Sequence, residues 1–138
     1  RTVPTAGEAF TRAIQTNLGL DPVQAEQYKA TYGFAADKLG GKLAEAMKPV
    51  LATIAGEIKK TADFYTSKHA ANGFSVVTVS GGVAVLPDMV SILSGMLGME
   101  VSVGNPLSKL VMDRNQAQAI TASGPIYSVA IGLAMREV

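Results

Sequence analysis

The sequence predicts an α/β fold in which a lobe with a parallel sheet lies beside a partly helical second lobe. Two short segments rich in strand-forming residues, 74–79 and 100–103, flank an apolar helical segment at 87–97. This strand, helix, strand order favours an α/β lobe with parallel strands. The first half of the chain shows mainly helical periodicity. With 138 residues, of which 48% are hydrophobic and 17% charged, the chain is long and apolar enough to bury a sizeable core.

Two short helices are predicted first. Apolar residues at four-residue spacing make residues 5–17 an amphipathic helix, which Gly19 closes. Asp21 is followed by a proline and is a good N-cap for the next helix, which Gly33 ends.

The longest periodic segment, residues 42–67, predicts a third helix with one apolar face. Pro49 lies inside it and is expected to kink or divide the helix near Met47, because proline lacks an N–H and clashes with the preceding turn. The apolar face consists of Leu43, Met47, Val50, Leu51, Ile54, Ile58 and Tyr65.

A turn at Asn72-Gly73 is predicted to lead into the strand, helix, strand unit. Residues 74–79 are apolar at successive positions, which indicates a strand buried on both faces. Asn105-Pro106 breaks the pattern, and an irregular or short helical stretch is expected up to residue 118. A last helix is predicted at 126–137. Its small residues, which permit close packing, are Ala130, Gly132 and Ala134.

Composition excludes several classes of partner and site. The 12 Lys and Arg residues balance 11 Asp and Glu residues, which gives no broad field to attract nucleic acid or an anionic membrane. The lack of cysteine excludes disulfides, thiolate zinc sites and a cysteine nucleophile. The single histidine, His69, cannot build a multi-histidine metal site and is expected at a solvated helix end. The apolar stretch 74–103 is interrupted by glycines, a proline and an aspartate, which favours buried strands and a helix over a membrane span.

Ser80-Gly81-Gly82 directly follows the first strand and is the best candidate for a ligand site. No Ser-His-Asp set, paired carboxylates or phosphate-loop signature occurs in the sequence, so no catalytic residue is predicted. Glycines at the carboxyl end of a parallel strand leave backbone N–H groups open and remove Cβ bulk, so that a nucleotide can lie against the main chain. An ordinary tight turn explains the same pair, and the local pattern leaves both interpretations open.

Glu26 and Lys29 form a second candidate site. Their spacing of three residues places both side chains on one helical face. There a carboxylate and an ammonium can bracket the hydroxyls and the edge of a nucleoside. The alternative is a surface ion pair worth about a few tenths of a kcal/mol.

Four segments cover nearly the whole chain in a fixed order: GEAFTRAIQTNLGLDPVQAEQYKATYG, MKPVLATIAGEIKKTADFY, VVTVSGGVAVLPDMVSILSGMLGMEVSVGNP and ASGPIYSVAIGLAMREV. Their distinctive features are the Ala-Glu-x-x-Lys helix ending in Tyr-Gly, the Ser-Gly-Gly-x-x-x-Leu-Pro unit, the Asn-Pro pair and the closing Gly-Leu-Ala-Met-Arg. Together these segments resemble the carboxyl-terminal part of an actin-like (ribonuclease H-like) fold. They are most similar to the PilM family of type IV pilus assembly, relatives of the cell-division protein FtsA.

The resemblance implies a division of the fold. Residues 1–18 would begin the actin-like α/β lobe, residues 19–72 would form a mostly helical inserted subdomain, and residues 73–138 would complete the α/β lobe. The chain starts without an initiator Met, and the family's two phosphate loops are expected in amino-terminal parts outside it. This chain alone is therefore expected not to hydrolyse ATP, and the resemblance leaves open whether the full-length protein does.

The resemblance also implies a nucleotide site. Gly81, Gly82 and Val83 would form the adenosine-binding motif, with Val83 departing from the small residue that related proteins often carry there. Glu26 and Lys29 would approach the ribose and adenine from the neighbouring subdomain. The cofactor would be ATP with Mg²⁺ in the full-length protein, and no residue of this chain is expected to ligate a metal.

The implied role is that of a cytoplasmic scaffold, peripheral at the inner face of the cytoplasmic membrane. It would be held there by the tail of a PilN-like membrane protein, through regions mostly outside this chain, and would join other pilus platform proteins. Neither nucleic acid binding nor direct membrane insertion is expected. Two alternatives remain. One is a nucleotide-free interaction module with an actin-like fold, and the other is an ATP-dependent sugar or acetate kinase that shares this fold.

Overall fold

The computed structural model describes residues 7–68, 74–111, 113 and 120–136. The helices are α1 (Gly7–Leu18), α2 (Pro22–Tyr32), α3 (Lys42–Lys68), α4 (Met89–Leu97) and α5 (Ser128–Ala134), and the strands are β1 (Val76–Val79) and β2 (Glu100–Val103). Short 3-10 helices span Leu39–Gly41, Gly82–Val85, Pro106–Lys109 and Gly124–Tyr127. The predictions for His69, the turn at Asn72-Gly73, residues 112 and 114–118 and the two chain ends lie outside the described residues. Of the stretch before residue 118, the part that is described begins with a short 3-10 helix, as expected.

The ends of α1 and α2 confirm the predicted helix signals. Asp21 accepts hydrogen bonds from the backbone N–H groups of Val23 and Gln24, which fixes the start of α2. Gly33 follows α2 with φ of 49° and donates its N–H to the Lys29 carbonyl. Gly19 follows α1 with φ of 67°, a conformation that favours glycine.

Helix α3 continues through Pro49, so the expected division near Met47 is wrong. Pro49 is exposed, and the carbonyl that would have received its missing N–H belongs to Glu45, which is also exposed. Water can satisfy that carbonyl. Met47 is fully buried on the opposite side, so packing of the inner face keeps the helix continuous.

In the described part of the chain, a hydrophobic cluster joins helices α1 to α4 to the sheet. Phe10 of α1 meets Phe34, which follows α2, in a perpendicular ring pair with centroids 5.8 Å apart. Both side chains are fully buried. The other largest buried residues are Ile14, Leu43, Met47, Leu51 and Leu93. The face of α3 predicted from the sequence therefore packs on the core, except that Tyr65 near its end is exposed and contacts Phe74 instead.

The two strands form the predicted parallel pair, with Val76 opposite Glu100 and Val79 opposite Val103. The prediction that the first strand is buried on both faces is wrong. The strand begins only at Val76, and its residues alternate between exposed and half-buried, with Val76 44% exposed. Val77 and Val79 pack against the core. The core therefore covers one face of this two-stranded sheet, whereas burial on both faces requires layers on either side.

Two helices differ from their predicted bounds. Helix α4 begins at Met89 rather than at residue 87, because Asp88 has a positive φ of 57°. Helix α5 begins at Ser128 after a 3-10 helix. The small residues of α5 are not in a close contact: Ala130, Gly132 and Ala134 are exposed, because α5 packs mainly on the neighbouring 3-10 helices. No helix in the described ranges is long and apolar enough to cross a membrane.

Candidate functional site

A cleft of about 740 Å³ lies between α1 and α2 on one side and the 3-10 helix Gly82–Val85 on the other. Residues on its walls include Gly7, Glu8, Thr11, Glu26, Lys29, Gly82, Val83 and Ile126. Of the five residues predicted from the sequence, the structure thus brings Glu26, Lys29, Gly82 and Val83 together. Gly81 lies next to the cleft without lining it, and its N–H donates to the Pro125 carbonyl at 2.8 Å.

The first wall is held by a hydrogen-bond network around Lys29. The side chain of Lys29 is only 8% exposed. Its Nζ donates to the Glu26 Oε2 at 2.7 Å, to the Thr11 Oγ1 at 2.9 Å and to the Gly7 carbonyl at 3.2 Å. Burial of the ammonium distinguishes this pair from an ordinary surface ion pair, because each contact replaces a lost hydrogen bond to water.

Thr11 is a member of this network that the sequence interpretation missed. Its hydroxyl lies 2.6 Å from the Glu26 Oε2, and the residue is buried on the inner side of α1. A signal was present, because Thr11 is three residues before Ile14 and shares that side of the helix. Nothing local indicates, however, that α2 places Glu26 and Lys29 opposite it.

The network stabilises the ionised form of Glu26. The hydrogen bond from Lys29, and next the one from Thr11, hold the pKa of the Glu26 carboxyl below its ordinary value, against the opposing effect of burial. The side chain of Glu26 is 59% exposed on the wall of the cleft. It is therefore an ionised acceptor that a ligand can reach.

The second wall contains two glycines with different roles. Gly81 has a φ of 91°, and this backbone conformation alone explains why the residue is a glycine. Gly82 has no positive φ, and a Cβ placed on it would meet no atom within 4 Å. The fold of the described residues therefore does not require glycine at Gly82, and the missing side chain leaves space beside the cleft.

Val83 and Pro87 connect the second wall to the first. The Val83 Cγ2 lies 3.4 Å from where a Cβ on Gly7 would be, so this side chain packs against the start of α1. At the other end of α2, a Cβ on Gly33 would lie 2.6 Å from both the Cδ and the carbonyl oxygen of Pro87. Phe34 donates its N–H to the same carbonyl at 2.9 Å. The two walls are thus held together by close backbone contact.

The described residues contain no group of three or more His, Cys, Asp or Glu side chains that could hold a metal ion. The cleft offers the ionised Glu26 carboxylate, the buried Lys29 ammonium and open main chain beside Gly82. These groups suit the binding of a ligand with hydrogen-bond donors, and they do not form a nucleophile and base pair.

Comparison with known proteins identifies a matching family and a similar solved structure. The family described as type IV pilus assembly protein PilM matches residues 1–138. A solved structure described as a PilM-PilN type IV pilus biogenesis complex contains a chain similar to this one, with a TM-score of 0.79 and 28% sequence identity. The match covers 99% of this chain and 38% of that chain. The sequence therefore spans well under half of the protein that it matches.

Proposed function

The chain belongs to the type IV pilus assembly protein PilM family, and from that premise we propose that it supplies the adenosine-binding wall of an actin-like nucleotide cleft. The protein would act as a scaffold of pilus biogenesis whose shape depends on bound nucleotide. The observation that carries this proposal is the meeting of Glu26 and Lys29 with Gly82 and Val83 around one cleft. These residues come from opposite halves of the chain, and the resemblance to actin-like proteins assigns the same residues to adenosine.

The proposed ligand is ATP with Mg²⁺. Gly82, with open space where a side chain would stand, suits the approach of the adenosine to the main chain. The ionised Glu26 suits hydroxyl or amino donors of the nucleoside. Mg²⁺ would neutralise phosphate charge, and residues outside this chain would hold it. Phosphoryl transfer is not assigned to any residue described above.

The proposed partner is a PilN-like membrane protein, because the similar solved chain is part of a PilM-PilN complex. We place the protein in the cytoplasm, peripheral at the inner face of the cytoplasmic membrane, where PilN-like tails and other platform proteins would meet it. Contact with the PilN-like tail is proposed for regions mostly outside this chain.

Thermal unfolding of the full-length protein in ATP and Mg²⁺ tests the nucleotide part of the proposal. A ligand that binds only the native state stabilises it by about 2.7 kcal/mol at a hundred times its Kd. We expect the unfolding temperature to rise with ATP concentration. No rise at millimolar ATP would instead support the nucleotide-free interaction module.

A further inference from the structure

The hydrogen-bonding capacity of Lys29 is already used within the chain. An ammonium group has three N–H donors. They go to the Gly7 carbonyl, the Thr11 hydroxyl and the Glu26 carboxylate. The side chain is also 8% exposed. A direct contact from Lys29 to a ligand would therefore require one of these three bonds to break in a site that water reaches poorly.

Glu26 differs in both respects. Its side chain is 59% exposed, and its Oε2 accepts from both Lys29 and Thr11. Its Oε1 has no hydrogen-bond partner within the described part of the chain. Glu26 can therefore accept a hydrogen bond from a ligand without losing any bond that it makes in the structure.

The direction of the Thr11 hydroxyl bond follows from its neighbours. Lys29 donates to the Thr11 Oγ1, so the single hydroxyl proton remains available for another acceptor. The Glu26 Oε2 is 2.6 Å away, whereas the Gly7 carbonyl is 3.3 Å away and already accepts from Lys29. The proton therefore goes to Glu26. Two donors from two helices thus fix a single carboxylate oxygen.

We propose that Thr11 and Lys29 are positioning residues that hold the Glu26 carboxylate at the cleft, and that Glu26 alone of the three bonds the ligand. This inference rests on the proposed nucleotide-binding function and deepens it. It differs from the expectation that Lys29 itself approaches the nucleoside. The ligand class it selects presents a hydroxyl or N–H donor to this wall, as a nucleoside does.

A matched control exists on α3. Glu57 and Lys60 have the same three-residue spacing, with Lys60 Nζ 2.8 Å from the Glu57 Oε1. The Lys60 side chain is 65% exposed, and neither residue lines the cleft between α1, α2 and Gly82–Val85. Lys60→Met therefore removes a helical ion pair of the same geometry without touching the proposed site.

The test is a double-mutant cycle on ATP affinity in the full-length protein. We expect Thr11→Val to weaken ATP binding about tenfold, the scale of a lost hydrogen bond to a charged group. Thr11→Ser should restore it, and Lys60→Met should leave it unchanged. In a Glu26→Ala background, Thr11→Val and Lys29→Met should cause no further loss, because both act through Glu26. Losses that add in this background would overturn the proposal. If Lys29→Met does not fold, the Thr11 variants alone decide.

A measurement without nucleotide separates this inference from the proposed function. Titration of the Glu26 carboxyl by NMR should show its pKa rising in Thr11→Val, because a hydrogen bond to the ionised form is lost. An unchanged pKa would overturn the positioning role. A wild-type protein that does not bind ATP would overturn the proposed function and the ligand contact of Glu26 with it. ATP binding with additive losses would leave the proposed function standing and refute only the positioning role.

Discussion

Replacing Gly33 with alanine tests the contact that holds the two cleft walls together. Gly33 ends α2 with φ of 49°, and a Cβ there would lie 2.6 Å from the Pro87 Cδ and the Pro87 carbonyl oxygen, and 2.7 Å from its nitrogen. Two of these three atoms belong to the backbone, so the clash cannot be relieved by turning a flexible side chain. Either the end of α2 or the segment at Pro87 must move.

Gly19→Ala is the matched control. Gly19 ends α1 with φ of 67°, but a Cβ there would meet nothing within 4 Å. Its alanine variant therefore pays only the backbone cost of a positive φ, about 1–2 kcal/mol. Gly33→Ala has at least the same backbone cost, because its φ of 49° and ψ of −124° lie outside the left-handed helical region, and in addition an overpacking cost of about 1–3 kcal/mol. We expect a total of about 2–5 kcal/mol, a large share of the ~5–15 kcal/mol of a typical domain.

Urea unfolding of the two variants and the wild type measures the difference. The free energy of unfolding should fall about 1–3 kcal/mol further for Gly33→Ala than for Gly19→Ala. Gly33→Ala should also weaken ATP binding by the folded protein, because relief of the clash moves the two cleft walls relative to each other. Equal losses of stability in the two variants would refute the close approach of Gly33 to Pro87.

Three further predictions concern the cleft and its helices. Gly82→Val should abolish ATP binding with little change in unfolding temperature. Gly95→Val, the control at another glycine with open space, should leave binding intact. If Gly82→Val instead unfolds the protein and the fraction that remains folded still binds ATP, Gly82 serves as a turn residue. Because the Glu26 pKa is lowered, the stability its carboxylate contributes is present above the unfolded pKa of about 4.3 and lost as pH falls through the folded value. The urea midpoint should accordingly fall less on acidification in Glu26→Gln than in wild type, and parallel curves would contradict this. Asp21→Ala should lower the free energy of unfolding by about 1 kcal/mol through loss of two N-cap bonds, and an unchanged urea midpoint would argue against the cap.

Features that depend on neighbouring residues in sequence were predictable. Asp21, Gly19 and Gly33 mark helix ends through their own backbone preferences and side chains. The strand at 100–103 has the predicted bounds, and its parallel partner follows from the helix between them.

Features that depend on tertiary contacts were not predictable. The spacing of Glu26 and Lys29 predicts an ion pair, but only the packing of α1 on α2 buries the ammonium and adds Thr11. Likewise, apolar residues in the first strand indicate burial without specifying how many layers cover it. The approach of Gly33 to Pro87 joins two segments whose sequences carry no mutual signal.

Each carboxylate that lines the cleft forms an ion pair with a cation, and this determines how ligand affinity depends on salt concentration. Among the described residues, Glu8 and Glu26 line the cleft, and each is paired with a cation, Arg12 and Lys29 respectively. Each pair is neutral in sum, so the wall adds little net field that would attract or repel a polyanion from a distance. The Debye length is about 10 Å at 0.1 M salt, so salt mainly weakens interactions between charges that are farther apart than this. Neutral ion pairs contribute little to such interactions. Ionic strength should therefore alter ligand affinity at this wall only weakly, and selectivity should reside in the placement of donors and acceptors.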